Sequence, residues 1–189
     1  MTPIDDPLFM KLAVAAFPWS CRTAAEAAGM ALAPLVDDSY RRSSLRVVVL
    51  GSTILIPWRV HFLGMNEVNP RPRTDPWLVA QCLLTRSTDG YIRQASLRQL
   101  LSASEPWIIP FVVLLAGEYV VEIVEDIFNS SSTLDRNAYT NFVRENRPIM
   151  RLLRSKAASY WNRYYRGVYA DRRTYPGLAF LHELERWAA

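Results

Sequence analysis

Cysteine and histidine are both scarce, with two of each among the 189 residues. Cys21 and Cys82 stand sixty-one positions apart, without a CxxC pair and without a histidine beside either of them. Disulfide frameworks and structural zinc sites need closely spaced sulfur or imidazole ligands, so this spacing indicates neither. We expect two reduced thiols that are buried as small apolar side chains.

Sequence signatures of catalysis are also missing. The chain has no glycine-rich phosphate loop, no GxSxG elbow, and no HExxH or DxDxDG pattern. His61 falls in a predicted strand and His182 in a predicted helix, and we interpret both as ordinary surface or core residues. We therefore predict no catalytic residue, no metal site and no cofactor, and we disfavour an enzyme.

The chain lacks an apolar run long enough to cross a membrane. Its most apolar segment, 107–124, is interrupted by Glu118, whereas a span needs about 18 or more apolar residues. The acids there recur at helical spacing, which predicts a solvated helix face rather than a cation site. These acids are Glu118, Glu122, Glu125 and Asp126. Because two aspartates open the chain where a secretory signal has basic residues, we expect no signal peptide, no membrane association and a cytoplasmic location.

What the chain does contain is a large apolar fraction. Half of the residues are apolar and 21% are charged, which is typical of a folded globular protein. The length is sufficient to bury a core, so we predict one domain, 1–189, with helices and a hairpin in 1–65 and a helical region at 76–189. The predicted fold class is mainly α, built from antiparallel helical pairs, with a small N-terminal β-hairpin.

Capping residues, prolines and apolar periodicity predict where the helices begin and end. The Asp-Pro pairs at 6–7 and 75–76 resemble caps followed by proline, and Thr23 with Glu26 forms a capping box. Gly167 is expected at the C′ position of a late helix. The predicted helices begin near 7 and then span 24–36, 76–87, 90–102, 106–116, 119–128, a stretch from a second capping box at 132–135 to Pro148, 148–167 and 177–187.

Residues 45–64 depart from helical periodicity. Two runs of β-branched residues flank Gly51-Ser52, which predicts a β-hairpin with glycine at the first central position of the turn. Pro57 cannot donate to a ladder, so the second strand is expected to lie at an edge or to bend there. The segment 66–76, rich in proline and asparagine, is expected to be a loop.

Two predicted helix pairs stand in tandem, at 76–87 with 90–102 and at 106–116 with 119–128. The second helix of the first pair begins with Asp89, Ile92 and Arg93. This resembles the HEAT-type helical repeat, in which that helix opens with Asp, an aliphatic residue and Arg. The resemblance covers about residues 76–128, and it implies that a helical face binds other proteins, as in scaffold, inhibitor or toxin-neutralising proteins. A compact irregular bundle is the alternative, and Arg93 is interpreted as the structural partner of a nearby carboxylate.

Charge is unevenly distributed along the helical region. Residues 81–140 hold four basic and seven acidic residues, whereas 141–189 hold ten basic and four acidic ones. Several of these basic residues recur at helical spacing, which predicts a basic ridge that contacts an acidic protein partner. The predicted partner-binding residues are Arg147, Arg151, Arg154, Arg163 and Arg166.

The same segment is rich in tyrosine and tryptophan, which raises an alternative function. Arginine beside aromatic rings suits RNA or single-stranded DNA, where charges follow phosphates and rings stack on bases. A net charge of +4 is small for a nucleic-acid binder, and several of the rings are expected in the core because they continue one apolar face. That face comprises Ile149, Leu152, Leu153, Ala157, Tyr160, Trp161 and Tyr164. The arginines would then pair with the acidic helix 118–126 or dock an acidic protein, and we predict a non-catalytic interaction module.

Overall fold

A computed structural model describes residues 7–37, 43–64 and 74–189. Within these ranges the chain forms nine α-helices and one two-stranded antiparallel sheet, which confirms the predicted fold class. Contacts divide the chain into two compact units, Met1–Leu100 and Leu101–Ala189. The expectation of one domain over 1–189 stays a prediction. The expected loop 66–76 lies largely outside the described residues, as does the expected capping residue Asp6.

In its described residues, the first unit contains four α-helices and the hairpin. The helices are α1 (Pro7–Ala15), α2 (Arg22–Leu32), α3 (Asp75–Leu84) and α4 (Gly90–Leu100), with 3-10 turns at Trp19–Cys21 and Ala33–Leu35. Helix α2 packs against α1 and α3, and α3 also packs against α4. Cys21 and Cys82 are free and buried in this unit, as expected for small apolar side chains, and burial raises the pKa of the Cys21 thiol.

The hairpin pairs β1 (Ser44–Val49) with β2 (Ser52–Pro57). Alternate residues bury one face of the sheet, formed by Val47, Val49, Ile54 and Ile56. The turn lies one position earlier than predicted, because its central residues are Leu50 and Gly51, with φ of 51° and 72°. A two-residue turn with positive φ at both positions follows the natural twist of the two strands.

Asp89 and Arg93 stabilise the N-terminal end of α4 through hydrogen bonds to the main chain. A carboxylate oxygen of Asp89 accepts hydrogen bonds from two main-chain amides of the first turn, at 2.7 and 3.4 Å, so the aspartate caps the helix. The Arg93 side chain is buried, and its Nη1 donates to the carbonyl oxygens of Ser87 and Thr88 at 2.9 and 3.0 Å. Arg93 is therefore structural, through main-chain carbonyls that the sequence did not point to.

Helix α2 begins without the predicted capping box. Its first residue is Arg22, and no side chain caps the first turn. The Nε atom of Arg22 instead donates to the carboxylate of Glu26 at 2.9 Å, as an exposed pair one helical turn apart. The prediction of a Thr23–Glu26 box is wrong because the helix starts before Thr23.

The second unit is entirely helical in its regular structure. Its α-helices are α5 (Ile109–Leu115), α6 (Val121–Asn129), α7 (Arg136–Glu145), α8 (Arg147–Tyr160) and α9 (Pro176–Trp187). Every residue of α5 is buried, and α9 packs against α6, α7 and α8. None of the helices in the described ranges combines the length and the apolarity of a membrane span.

Two helix ends in this unit differ from prediction. Asp135 alone caps α7, since its side chain accepts from two amides of the first turn at 2.9 and 3.1 Å. Helix α8 is not closed by Gly167: it continues directly into a π-helical turn at Trp161–Tyr165, and Gly167 does not have a positive φ. The expected break at Pro148 occurs just before it, because α7 ends at Glu145 and the proline lies in the first turn of α8.

The hairpin turn gives a test of backbone strain. Leu50 adopts a left-handed conformation that disfavours a leucine by about 1–2 kcal/mol, and its side chain is 59% exposed. Leu50→Asn should therefore raise the free energy of unfolding by about 1 kcal/mol, measured by urea denaturation. Gly51→Ala should lower it, because Gly51 has a φ of 72°. An unchanged stability in Leu50→Asn would contradict the turn geometry.

Two glycines of the second unit form a matched pair. A Cβ at Gly177 would stand 2.9 Å from the carbonyl oxygen of Ala116, whereas nothing lies within 4 Å of a Cβ at Gly167. Gly177→Ala should destabilise the protein by about 1–3 kcal/mol. Gly167→Ala should be neutral or stabilise it by up to about 1 kcal/mol. Equal melting temperatures of the two variants would refute this close approach of α9 to Ala116.

Candidate partner-binding groove

Two surface pockets lie along α8 and α9. The first, of about 320 Å³, contains Val143, Arg144, Arg147, Met150, Arg151 and Glu185 in its wall. The second, of about 290 Å³, is lined by Arg154, Ala158, Arg172, Arg173, Leu178 and His182. We call these the first and second pockets, and the two together the basic groove.

One stripe of α8 supplies a wall of both pockets. Arg147, Arg151, Arg154 and Ala158 are spaced by four, three and four positions, which places them on one helical face. The face that points into the unit is apolar, with Ile149, Leu153 and Ala157 buried. Burial of that face leaves the arginine stripe at the surface.

A second stripe, on α9, supplies the opposite wall. Leu178, His182 and Glu185 are spaced by four and three positions, and the buried residues of α9 are Phe180, Leu181 and Leu184 among others. The start of α8 shares the first pocket with the end of α9, and the end of α8 shares the second pocket with the start of α9. The two helices therefore run antiparallel along the groove.

Hydrogen bonds from α7 fix the end of α9. The Thr140 hydroxyl donates to the carbonyl oxygen of Trp187 at 3.2 Å, and Nε of Arg144 donates to that of Ala188 at 3.3 Å. These bonds satisfy carbonyls that the end of an α-helix leaves without an internal partner. Arg144, which lines the first pocket, is thereby hydrogen-bonded to the C-terminal end of α9.

An ion pair connects the two pockets. Nη1 of Arg154 donates to the carboxylate of Glu185 at 2.9 Å, and the side chains are 58% and 31% exposed. Exposed pairs of this type contribute about 0–1 kcal/mol, so the bridge is readily opened. Arg154 lines the second pocket and Glu185 the first, which places the pair at their boundary.

The second pocket has a different charge pattern from the first. Asp171 accepts from Nε of Arg173 at 2.9 Å and holds that guanidinium, which keeps the pKa of the Asp171 carboxyl below its usual range. The side chain of Arg172 has no hydrogen-bonding or ion-pair partner among the described residues. No acidic residue is among those that line this pocket, whereas Glu185 lines the first.

The structure separates the five arginines that the sequence singled out. Arg147 and Arg151 line the first pocket and Arg154 the second, so these three share the basic groove. Arg163 and Arg166 are exposed on or after the π-helical turn and line neither pocket. Five further residues line the groove but were not predicted to bind a partner: Arg144, Arg172, Arg173, His182 and Glu185. The spacing of Leu178, His182 and Glu185 is the signal that identifies the α9 wall.

The tyrosines of this segment form a cluster next to α6 instead of a stacking platform. The Tyr169 hydroxyl donates to a carboxylate oxygen of Glu125 at 2.6 Å, and the Tyr165 hydroxyl to the carbonyl oxygen of Tyr119 at 2.5 Å. Both rings pack on the buried ring of Tyr175, with centroids 5.5 and 5.6 Å away. These tyrosines are therefore engaged with one another and with the acidic helix.

The expected apolar face of α8 is confirmed only in part. Ile149, Leu153 and Ala157 are buried, but Leu152 and Tyr164 are 39% and 62% exposed. Tyr160 and Trp161 are half-buried, and Nε1 of Trp161 donates to the carbonyl oxygen of Tyr169 at 2.7 Å. The exposure of Tyr164 follows from the π-helical turn, in which the α-helical spacing no longer applies. Leu152 lies upstream of the turn, and its exposure has a different origin.

The two histidines lie in different surroundings. His61 is not in a regular strand, and its Nδ1 is 2.7 Å from the hydroxyl oxygen of Thr88. His182 is exposed in the second pocket. Among the described residues, no group of three or more His, Cys, Asp or Glu side chains is placed to hold a metal ion.

The fold and the site define a mainly α-helical protein with a basic groove between two antiparallel helices. No family model, no curated protein and no solved structure matches this chain significantly. The resemblance to HEAT repeats therefore stays a prediction.

The contact between Tyr169 and Glu125 predicts a late alkaline titration. The hydrogen bond to Glu125, together with burial, raises the pKa of Tyr169 to about 12, above the ordinary value near 10. Because the folded pKa is the higher one, the stability that the contact contributes is present below about pH 10 and is lost as the pH rises toward about 12. Tyr169→Phe should remove one late step from the tyrosinate absorbance titration.

Glu125→Gln is the control, since it removes the negative charge but keeps an oxygen acceptor. It should move the Tyr169 step to lower pH without changing the number of tyrosines that titrate. Identical titration curves for Glu125→Gln and the unaltered protein would show that the carboxylate does not control this hydroxyl.

Proposed function

We propose that this chain is a non-catalytic interaction module whose basic groove binds an acidic segment of a partner protein. The observation that carries the proposal is the convergence of six arginines on the two pockets beside one glutamate. The arginines are Arg144, Arg147, Arg151, Arg154, Arg172 and Arg173. Guanidinium groups bind carboxylates through paired hydrogen bonds, and complementary charge directs and accelerates association.

The apolar residues in the groove favour a peptide as its occupant. Val143 and Met150 line the first pocket, and Ala158 and Leu178 the second. A segment in which acidic and apolar side chains alternate could satisfy both the guanidinium groups and these surfaces. Binding sites commonly combine apolar walls with a few oriented polar groups.

The dimensions of the groove set the length of the segment. Residues 147–158 of α8 extend about 17 Å at 1.5 Å per residue. An extended chain covers the same distance in about five residues, at about 3.3 Å per residue. The centres of the two pockets are about seven helical residues apart, or about 10 Å. A polyproline II segment has three residues per turn and rises about 3.1 Å per residue, so acidic side chains three positions apart lie on one face, about 9 Å apart, and would reach both pockets.

Two features favour a protein over RNA or single-stranded DNA, the alternative occupants. Stacking on bases requires several free aromatic faces, whereas Tyr165 and Tyr169 pack on Tyr175 and lie beside Glu125. Tyr164, at 62% exposure, is then the single exposed ring of this segment. Glu185 also interrupts the arginines of the groove, and a fixed carboxylate opposes a continuous phosphate backbone more than it opposes separated carboxylates.

The proposal includes a cytoplasmic location and a HEAT-like mode of action. Buried free thiols such as Cys21 and Cys82 accord with a reducing compartment. Helical-pair proteins present one exposed helical face to a partner, which accords with scaffold, inhibitor or toxin-neutralising roles by analogy of fold alone.

A short peptide tests the groove. The fluorescein-labelled peptide Ser-Glu-Leu-Ser-Glu-Leu should bind, measured by fluorescence anisotropy at about 50 mM salt. The double variant Arg147→Glu/Arg151→Glu should weaken binding by at least about tenfold, because it reverses the charge of the first pocket. Both positions are exposed, and a glutamate at the first residue of α8 suits the helix dipole, so the fold should persist.

The matched control is Arg163→Glu/Arg166→Glu, which makes the same charge change outside the groove. It should alter peptide binding by less than about twofold, since short-range contacts decide affinity once distant charges are screened. Absence of peptide binding at low salt, or equal weakening by both double variants, would refute the proposal. Tight binding of oligothymidylate that falls steeply with salt, and that both double variants weaken alike, would establish the nucleic-acid alternative instead.

A further inference from the structure

The second pocket differs from the first in a way that bears on its ligand. Three arginines and one histidine line it, and no carboxylate does. In the first pocket, Glu185 stands in the wall beside three arginines. No carboxylate lies in the wall of the second pocket, but Arg154 is paired with Glu185 and Arg173 with Asp171 through exposed ion pairs, which an anionic ligand can readily open.

The basic groups of the second pocket come from three separate elements. Arg154 belongs to α8, His182 to α9, and Arg172 and Arg173 to the 3-10 turn that precedes α9. The side chain of Arg173 is held by Asp171, whereas that of Arg172 has no partner among the described residues. Donors therefore reach one volume from several directions, and one guanidinium there is uncommitted.

We propose that the second pocket binds a phosphomonoester, carried as a phosphoserine or phosphothreonine by the acidic partner segment, an assignment that rests on the proposed function. A phosphate group presents three terminal oxygens and about two negative charges, so it can accept hydrogen bonds from several guanidinium groups at once. A carboxylate has two oxygens and one charge, which a single arginine already satisfies. A site of about 290 Å³ also has room for the larger group.

The geometry of the groove places the phosphate relative to a carboxylate. With the pockets about 10 Å apart along α8, a polyproline II segment carries its phosphorylated residue three positions from the acidic residue that occupies the first pocket, on the same face of the segment. The first pocket then selects a carboxylate and the second a phosphate. A segment with this spacing is bound more tightly after phosphorylation, which makes the interaction switchable.

Three labelled peptides test the assignment by fluorescence anisotropy. They share the sequence Ser-Glu-Leu-Ser-X-Leu, with X as serine, glutamate or phosphoserine. The phosphoserine peptide should bind at least about tenfold more tightly than the serine peptide and measurably more tightly than the glutamate peptide, because charge-assisted hydrogen bonds to phosphate add to those of the first pocket. Equal affinity of the phosphoserine and glutamate peptides would overturn this assignment and leave the proposed function intact.

Arg172→Gln locates the effect. The side chain of this exposed residue makes no hydrogen bond or ion pair among the described residues, and the main-chain bond from Tyr175 does not depend on it, so its replacement should leave the fold unchanged. It should abolish the advantage of the phosphoserine peptide while changing the affinity of the glutamate peptide by less than about twofold. Arg163→Gln, which removes an exposed charge outside both pockets, should have no such effect. Retention of the phosphoserine advantage in Arg172→Gln would overturn the assignment.

The scarcity of histidine permits a direct readout of the pocket. The chain has only two histidines, and His61 lies in the first unit against Thr88, so the imidazole proton signals of His182 can be assigned with a His61→Gln variant. Titration with the phosphoserine peptide should shift the His182 signals and leave those of His61 in place. An absence of any His182 shift would overturn the assignment.

The same signals separate the two proposals when peptides fail to bind. One outcome would be that none of the three peptides binds, while phenyl phosphate, but not acetate, shifts the His182 signals. That outcome would identify a free phosphomonoester as the ligand. It would overturn both the proposal of an acidic partner segment and the proposal that this segment is phosphorylated. Binding of the glutamate peptide without a His182 shift by phenyl phosphate would overturn only the phosphate assignment.

Discussion

The packing of α9 against α6, α7 and α8 is the constraint on which the second unit depends. At its start, Gly177 approaches the carbonyl oxygen of Ala116 so closely that a Cβ would stand 2.9 Å from that atom. Farther along, Phe180, Leu181 and Leu184 are buried. Because this face of α9 is buried, the residues on the opposite face of α9 lie at the surface beside the arginines of α8. The groove is therefore a consequence of how α9 is buried.

Most of the fold could be predicted because local patterns decide it. Helical periodicity and proline positions located the helices, and paired β-branched runs located the hairpin. The predictions were wrong in detail where the backbone conformation that the fold requires differs from the conformation that the residue prefers. Leu50 takes a left-handed conformation that its side chain disfavours, since the twist of two paired strands requires it. The capping box at Thr23 failed because α2 begins one residue earlier.

The groove could be predicted only in part, and the reason is tertiary. Arg147, Arg151 and Arg154 share one face of a single helix, so spacing alone relates them. Arg172 and His182 belong to other elements, and only the packing of α9 brings them beside Arg154. Arg163 and Arg166 continue the same run of sequence but lie outside the groove. They stand nine and twelve positions after Arg154, which is not the spacing of one helical face, and the π-helical turn at Trp161–Tyr165 contains Arg163 and precedes Arg166.

That turn also determines which kinds of sequence change this region tolerates. Upstream of it the helix directs arginines to solvent, and downstream of it Tyr165 and Tyr169 reach Tyr119 and Glu125. The number of α-helical residues between the upstream arginines and the downstream tyrosines, more than the identity of those residues, sets the orientation of the two groups relative to each other. Deletion of one residue between 161 and 165 would remove the extra residue of the π-helical turn, so ordinary α-helical winding would return with the following residues on about the same face. Deletion of one residue between 147 and 160 would instead rotate Tyr165 and Tyr169 by about 100° relative to the helix before the deletion. A change in chain length is therefore better tolerated in the turn than in the helix that precedes it.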